Sequence, residues 1–291
     1  MYSSQITRAN PTCVVMLIDQ SGSMADPFGG DQVTRKADFV ANVVNHTLHD
    51  LVIRCTKTEE VRNYYYVSIV GYGRRVGSAF GAPLASRDFV PISEVADNPL
   101  RIEAGYRRVP DGAGGFVEMP VRFPLWILPQ ADGGTPMVQA FTQVRGILER
   151  WLSEHPRGFP PTVLHLTDGE SSDGDPTDIG REIMSLSTDD GRALLFNCHV
   201  SSRRSYKVEY PTETASLPDN FARTLYEISS PLPENFLGAA QQLGVSAAEG
   251  SRGFVFNADP SSVVQFYEIG TSLTGMTPHI WMDRQDATGE R

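Results

Sequence analysis

Residues 12–18 restrict the fold of this chain more than any other segment. Their sequence, TCVVMLI, is apolar and rich in β-branched side chains, without the polar alternation of a strand that has one wet face. A continuous apolar run of this kind is typical of a strand covered on both faces, as in a parallel sheet between layers of helices. The run ends on Asp19, and Ser21 and Ser23 follow, so a polar loop begins where the buried strand stops.

Helix and strand patterns alternate after this first strand. Apolar residues at helical spacing between 39 and 52 predict an amphipathic helix, and YYYVSIVGYG at 64–73 predicts the next strand. The pattern continues with a helix at 137–152, a strand at 161–167, a helix at 175–186, a strand at 193–202, helices at 220–229 and 234–244, a strand at 252–259 and a helix at 260–273. This alternation predicts an α/β fold with a doubly wound, mostly parallel sheet between helices.

The chain length allows one large domain. At 291 residues it can bury a sizeable core without requiring a second one. We predict a single domain over 1–291 with its core at about 11–273, an insertion with a hairpin at about 74–130, a loop and helix elaboration at about 203–235, and a polar tail at about 278–291.

Composition excludes several classes of protein. The chain is 40% hydrophobic and 21% charged, as soluble globular proteins are, and its net charge of -10 argues against nucleic-acid or membrane-surface partners. The first apolar run is too short for a signal peptide, which predicts a cytoplasmic protein.

The three cysteines are odd in number and lie in or beside apolar runs, at Cys13, Cys55 and Cys198. We therefore expect buried thiols and no disulfide.

Three polar loops follow or precede the predicted elements: DQSGS at 19–23, GGTP at 133–136 and TDG at 167–169. Ligands of open α/β sheets bind outside the carboxyl ends of the strands, so these loops are expected to share one crevice. The oxygen ligands they offer are Asp19, Ser21, Ser23, Thr135 and Asp168. A set without His or Cys suits Mg²⁺, with Mn²⁺ or Ca²⁺ as alternatives, and disfavours Zn²⁺. We predict a metal site that leaves room for a ligand from outside.

These motifs, in this order and context, resemble the metal-ion-dependent adhesion site of von Willebrand factor A (VWA) domains. The resemblance covers roughly residues 11–273 and implies the VWA fold, a Rossmann-like, mostly parallel six-stranded sheet with one antiparallel edge strand. It implies that Ser21, Ser23 and Thr135 bind the cation closely, that Asp19 and Asp168 are outer or alternate ligands, and that an Asp or Glu of a protein partner completes the shell.

A finer resemblance concerns the type of VWA protein. The segments LIDQSGSM, GGTPM, LTDGE and HVSS are most similar to bacterial intracellular members, including those associated with tellurium resistance. That similarity implies an adaptor in a stress or defence system, with a kinase, phosphatase or ATPase of the same system as its partner.

Three functions remain open from the sequence. A non-enzymatic binding module is the leading interpretation, because no obvious base or activated nucleophile accompanies the ligand set. A Mg²⁺-dependent phosphatase or phosphotransferase with Asp19 as nucleophile is the alternative, although Ser21 stands where haloacid-dehalogenase-type phosphatases carry a second acid. A secreted adhesin is the third, and the missing signal peptide and unpaired cysteines oppose it.

Other polar residues in and near the motifs are expected to be structural. The acidic stretch DGESSDGDPTD fails the EF-hand pattern, because Asp173 and Ile179 stand where glycine and glutamate are required. Asp173 and Asp175 are therefore predicted to cap helices or to be solvated. His165 and His199 lie within apolar strands and are predicted to be core residues with hydrogen-bonded rings.

Overall fold

A mostly parallel sheet with helices on both faces organises the chain. The computed structural model describes residues 2–29, 33–110, 116–201 and 206–272, so the predicted polar tail lies outside the described residues. The strands are β1 (Thr12–Asp19), β2 (Thr56–Lys57), β3 (Glu60–Val61), β4 (Tyr65–Tyr72), β5 (Val76–Ser78), β6 (Val90–Pro91), β7 (Arg101–Pro110), β8 (Phe116–Leu125), β9 (Thr162–Thr167), β10 (Ser187–Thr188), β11 (Gly191–Arg192), β12 (Leu194–Val200), β13 (Val208–Glu209) and β14 (Phe254–Ala258). The α-helices are α1 (Lys36–Cys55), α2 (Ile92–Asp97), α3 (Met137–Glu154), α4 (Thr177–Ser185), α5 (Asn220–Glu227), α6 (Glu234–Gln242) and α7 (Pro260–Thr271).

Within the described residues, the main sheet has eight strands in the order β13-β14-β12-β9-β1-β4-β5, with β6 also paired to β4. The five central strands run parallel, and β5, β6 and β13 are antiparallel additions at the edges. The predicted α/β fold, doubly wound and mostly parallel, is confirmed. The five parallel strands and the antiparallel edge strand β5 match the six expected strands, and β6 and β13, of two residues each, are additional.

Strand β1 lies at the centre of this sheet, and every one of its residues is buried. Val14, Met16 and Ile18 pack in the layer that contains α1 and α7. Val15 and Leu17 pack in the opposite layer, with α3 and α4. Because both faces are covered, the strand has no polar alternation, which is the pattern that predicted it.

The order of the strands places a topological switch point beside β1. The chain passes from β1 to β4 on one side and then crosses to β9 on the other. Asp19 is level with Tyr72 of β4, and Ile18 is level with Leu166 of β9, so the three strands end at nearly the same height. The loops that follow β1 and β9 therefore leave the sheet on the two sides of one crevice, where α/β sheets bind ligands.

The segment 74–130 extends the sheet edge and adds a separate hairpin. It contributes β5 and β6 to the edge beside β4, followed by α2 and the antiparallel pair β7–β8, which confirms the predicted hairpin. The hairpin is attached to α1: the ring of Phe123 lies 4.2 Å from that of His46 and 5.2 Å from that of His49. Asn45 of α1 also accepts a hydrogen bond of 2.8 Å from the backbone N–H of Trp126.

The three cysteines are buried and unpaired, as predicted. Burial raises the pKa of the Cys55 thiol to about 12, and it raises those of Cys13 and Cys198 further. None of the helices in the described ranges combines the length and the apolar character needed to cross a membrane.

Glu268 of α7 introduces a carboxylate into the interface between α7 and α1. The residue is 9% exposed, and its Oε1 atom has no hydrogen-bond partner among the described residues. Burial raises the pKa of Glu268 to about 7, the charge of Asp50 adds to the shift, and Arg54 opposes it. Since the carboxyl binds its proton more tightly in the folded than in the unfolded chain, this group makes stability fall as the pH rises from about 4.5 to 7.

Replacing Glu268 with glutamine is expected to stabilise the protein at high pH. We expect a gain in the free energy of unfolding of about 1–2 kcal/mol at pH 8 and little gain at pH 4.5, because only the ionised carboxylate is disfavoured and solvent screens part of the effect. Urea unfolding at both pH values measures the difference. Glu59→Gln makes the same change at an exposed position and should alter neither value. An equal gain at both pH values would show that the buried charge is not the cause.

Candidate metal centre

Backbone hydrogen bonds join the three polar loops at the switch point. Gly22 donates to the carbonyl of Gly133 (3.0 Å), which ties the loop after β1 to the loop before α3. Ser172, in the loop after β9, donates its N–H to the carbonyl of Thr135 (2.9 Å), and its Oγ accepts from the N–H of Thr135 (3.0 Å). The loops therefore lie together in one crevice, and Thr135 is at the junction of two of them.

Glycine is required where the loop before α3 passes the end of β4. Gly133 has a φ of +87°, and a Cβ built on it would lie 2.3 Å from the backbone nitrogen of Arg74. A side chain at this position would both strain the backbone and push the loop away from β4. The GG of the GGTP motif thus allows the close approach that brings Thr135 to the crevice.

Asp19 is the most enclosed of the predicted ligands, with 1% of its surface exposed. Its Oδ1 atom accepts the N–H of Ser21 (2.8 Å), and its Oδ2 atom accepts the hydroxyl of Thr167 (2.9 Å). Burial raises the pKa of Asp19 to about 6; the hydrogen bonds from Ser21 and Thr167 oppose the shift, and the charge of Asp168 adds to it. A positive ion in the crevice would relieve this confined negative charge.

The two serines connect Asp168 to the same loop. The Oγ atoms of Ser21 and Ser23 lie 3.1 Å apart, and the hydroxyl of Ser23 donates to Oδ1 of Asp168 (2.7 Å). The side-chain oxygens of Ser21, Ser23 and Asp168 therefore form one continuous group, and Asp19 lies beside it through its bond from the N–H of Ser21. The backbone bonds of the GGTP loop place Thr135 next to this group. All five residues predicted from the sequence lie at this crevice.

Lys36 is a member of the centre that the sequence interpretation missed. Its side chain is only 5% exposed, and Nζ donates to Oδ2 of Asp168 (2.9 Å). The carbonyl of Ser23 lies 3.4 Å away and a carboxylate oxygen of Asp26 3.5 Å away. The available signal was the position of Lys36 on the apolar stripe of α1, four residues before Val40, where a charged side chain needs a buried partner.

The donors of this crevice fit a hard divalent cation. Carboxylate and hydroxyl oxygens are the preferred ligands of Mg²⁺, Mn²⁺ and Ca²⁺. The described part of the chain contains no group of three or more His, Cys, Asp and Glu side chains arranged to hold a metal. With only two acids in the crevice, a cation there would also need hydroxyl oxygens as ligands.

Two acids near the crevice cap helices, as predicted. The carboxylate of Asp173 accepts the N–H groups of Val138 (3.0 Å) and Gln139 (2.9 Å) at the start of α3. Asp175 accepts the N–H of Thr177 (2.9 Å) at the start of α4. These contacts satisfy helix donors that have no partner within the helix.

The two strand histidines are core residues, as predicted. His165 is fully buried, with its Nε2 atom 2.7 Å from the hydroxyl of Tyr72 and its Nδ1 atom 2.7 Å from Oδ1 of Asn197. Burial lowers the pKa of His165 to about 4, so the ring is neutral at pH 7. The ring of His199 stacks on that of Phe256 at a centroid distance of 4.4 Å.

An open cleft lies beside the centre, with a volume of about 390 Å³. Its walls include Gln20 from the loop after β1 and Asp132 from the loop before α3, so the cleft and the crevice share two loops. Arg74 on its wall pairs with Asp132 (2.9 Å). Arg75 is exposed and forms no ion pair with a residue that the structure describes.

No protein-family model and no curated protein matches the chain. Similar solved structures include the vWF domain of the type V pili tip protein Mfa5 from Porphyromonas gingivalis, with 16% identity and a TM-score of 0.32. The matched region covers 56% of this chain and 39% of the Mfa5 chain. The match to the ArnB paralog VWA2 from Sulfolobus acidocaldarius has 14% identity and a TM-score of 0.33, and it covers 66% of this chain and 35% of the VWA2 chain. The match to the manganese-loaded TRAP protein of Plasmodium vivax has 10% identity and a TM-score of 0.39, and it covers 91% of this chain and 75% of the TRAP chain. This chain thus spans little more than a third of the Mfa5 and VWA2 chains. Similarity at this level concerns the fold at most and carries no information on a ligand, a partner or an activity.

Proposed function

We propose that this chain is a non-enzymatic interaction module of the VWA type, which binds a protein partner through a divalent cation. The observation that carries the proposal is the continuous group of oxygen atoms from Ser21, Ser23 and Asp168 beside the buried Asp19, at the switch point of the sheet. Ser21, Ser23 and Thr135 would bind the cation closely, and the two aspartates would act as outer or alternate ligands. Mg²⁺ is the proposed ion, with Mn²⁺ or Ca²⁺ as substitutes.

An Asp or Glu of the partner is the proposed external ligand. A divalent cation held by hydroxyls and two carboxylates keeps enough positive charge to attract a third carboxylate, more so in a partly dry crevice. Arg75 in the adjoining cleft offers a second positive charge to an acidic segment that reaches past the cation. Both features attract an acidic segment, and the net charge of -10 argues against a densely charged partner such as a nucleic acid or an anionic membrane.

The enclosure of Asp19 supports a binding function over phosphate transfer. A nucleophilic carboxylate needs an oxygen that can reach the phosphorus atom of a substrate. Both oxygens of Asp19 accept hydrogen bonds, and the residue is 1% exposed. Ser21 stands two residues after Asp19, where a phosphatase of this type carries its general acid, and a serine cannot act as that acid.

The cellular role rests on the resemblance of the motifs to bacterial intracellular VWA proteins. We propose a cytoplasmic adaptor of a stress or defence system, whose partner is a kinase, phosphatase or ATPase of that system.

Selection of peptides on the immobilised protein tests the cation-bridged contact. A random displayed library is bound in Mg²⁺ and eluted with EDTA, and the expected result is enrichment of peptides that share an Asp or Glu. Changing that acid to its amide should weaken binding at least roughly tenfold, because a neutral oxygen is a poor ligand for a dication. A parallel selection with EDTA present throughout is the control. Peptides that bind equally well in EDTA, or that tolerate the amide, would contradict the proposal.

A further inference from the structure

Lys36 places an ammonium group inside the centre. Its ammonium group is 2.9 Å from Oδ2 of Asp168, and the side chain of Asp168 is fully shielded from solvent. One oxygen of Asp168 thus accepts a hydrogen bond from the hydroxyl of Ser23, and the other accepts one from Lys36. Because Lys36 is the first residue of α1 and is itself buried, the ammonium is held in place and cannot turn to bulk water.

This charge changes what the centre attracts. The enclosed carboxylates of Asp19 and Asp168 carry two negative charges, and Lys36 balances one of them. Asp26, 3.5 Å from the ammonium, has a side chain that is 60% exposed, so solvent screens its charge. The centre without a cation is therefore negative and repels a carboxylate, whereas a divalent cation makes it positive. Without Lys36, the same cation would leave the centre neutral, and the attraction for an acidic partner would be weaker.

We propose that Lys36 sets the specificity of the centre by weakening cation binding and strengthening carboxylate binding. This inference rests on the proposed function. Lys36 repels the entering cation at short range in a site with little solvent, so cation affinity is moderate. Once the cation is bound, both positive charges attract the incoming carboxylate. The cation and the acidic partner therefore bind in that order, and each increases the affinity for the other.

A merely structural role for Lys36 predicts a different result. If Lys36 only positioned Asp168, its loss would loosen the ligand set, and both the cation and the carboxylate would bind more weakly. The charge role predicts effects of opposite sign. The two roles are thus distinguished by the direction in which cation affinity changes.

The experiment compares Lys36→Met with the wild type, using Mn²⁺ and acetate as probes. Free Mn²⁺ is titrated by electron paramagnetic resonance, and acetate binding to the Mn²⁺-loaded protein is followed by water-proton relaxation. We expect roughly tenfold tighter Mn²⁺ binding and roughly fivefold weaker acetate binding in the variant, as the removal of one nearby positive charge predicts. Lys57→Met is the matched control, since Lys57 is exposed and lies beyond the far end of α1, about 30 Å away, and it should change neither value.

Each result has a defined meaning. Weaker or unchanged Mn²⁺ binding in Lys36→Met overturns the charge role while leaving the proposed function standing, provided that the wild type binds Mn²⁺. A wild type that does not bind Mn²⁺ overturns both. Thermal unfolding in EDTA checks that the variant folds, and Lys36→Gln, with the same expected signs, replaces it if it does not.

Discussion

Replacing Asp19 with asparagine is expected to abolish cation binding without destabilising the protein. The side chain is 1% exposed, and burial holds its pKa at about 6, above the ordinary range of an aspartate. A neutral amide of the same shape removes the cost of a buried charge and its repulsion by Asp168. Its oxygen can accept the N–H of Ser21, and its NH2 group can donate to Thr167, whose hydroxyl has the carbonyl of Gly169 as another acceptor (3.0 Å). In EDTA at pH 7.5, the free energy of unfolding should be equal to that of the wild type or higher by about 1 kcal/mol.

With the cation present, the wild type is expected to become more stable than Asp19→Asn. At a Mg²⁺ concentration of about 100 times the dissociation constant, the wild type should gain about 2.7 kcal/mol, and Asp19→Asn should gain none. Urea unfolding in EDTA and in Mg²⁺ measures both effects. Asp97→Asn, an exposed aspartate at the end of α2, is the control and should keep the Mg²⁺ gain. Retention of that gain in Asp19→Asn would remove Asp19 from the cation site.

The sequence located the crevice because the candidate ligands follow elements with strong patterns. β1 is buried over all of its residues, so the position of Asp19 at its end could be read from the end of the apolar run. Gly133, in the GGTP motif before Thr135, adopts a positive φ where the loop passes close to the end of β4. Candidate ligands of this kind are recognisable because the backbone that carries them is constrained by burial or by conformation.

Other parts of the structure left no signal of this kind. The edge strands β5, β6 and β13 have two or three residues each, which is too few to show a hydrophobic period. Lys36 lies on the apolar stripe of α1, which indicates burial, but its partner Asp168 is 132 residues away in the sequence and cannot be identified from it. Such features depend on which elements the fold brings together, and a single sequence does not contain that information in a local form.

Asn197 is the residue of the buried polar network whose loss is expected to destabilise the protein most. It is fully buried in β12, and its Oδ1 atom accepts from Nδ1 of His165 (2.7 Å), which leaves Nε2 to accept from the hydroxyl of Tyr72. Its amide nitrogen donates to Oγ of Ser229 (2.8 Å) and to the carbonyl of Ile228 (3.2 Å). Asn197 thus links the centre of the sheet to the segment that follows α5.

Replacing Asn197 with alanine should cost about 3–4 kcal/mol in the free energy of unfolding. The change leaves the N–H of His165 and a carbonyl oxygen buried without partners, and each unsatisfied group costs about 1–3 kcal/mol. Urea unfolding at pH 7.5 measures the loss, with Asn220→Ala, an exposed residue at the start of α5, expected to stay within about 0.5 kcal/mol of the wild type. A loss below about 1 kcal/mol would mean that water replaces the amide, and that the network does not fix the position of His165.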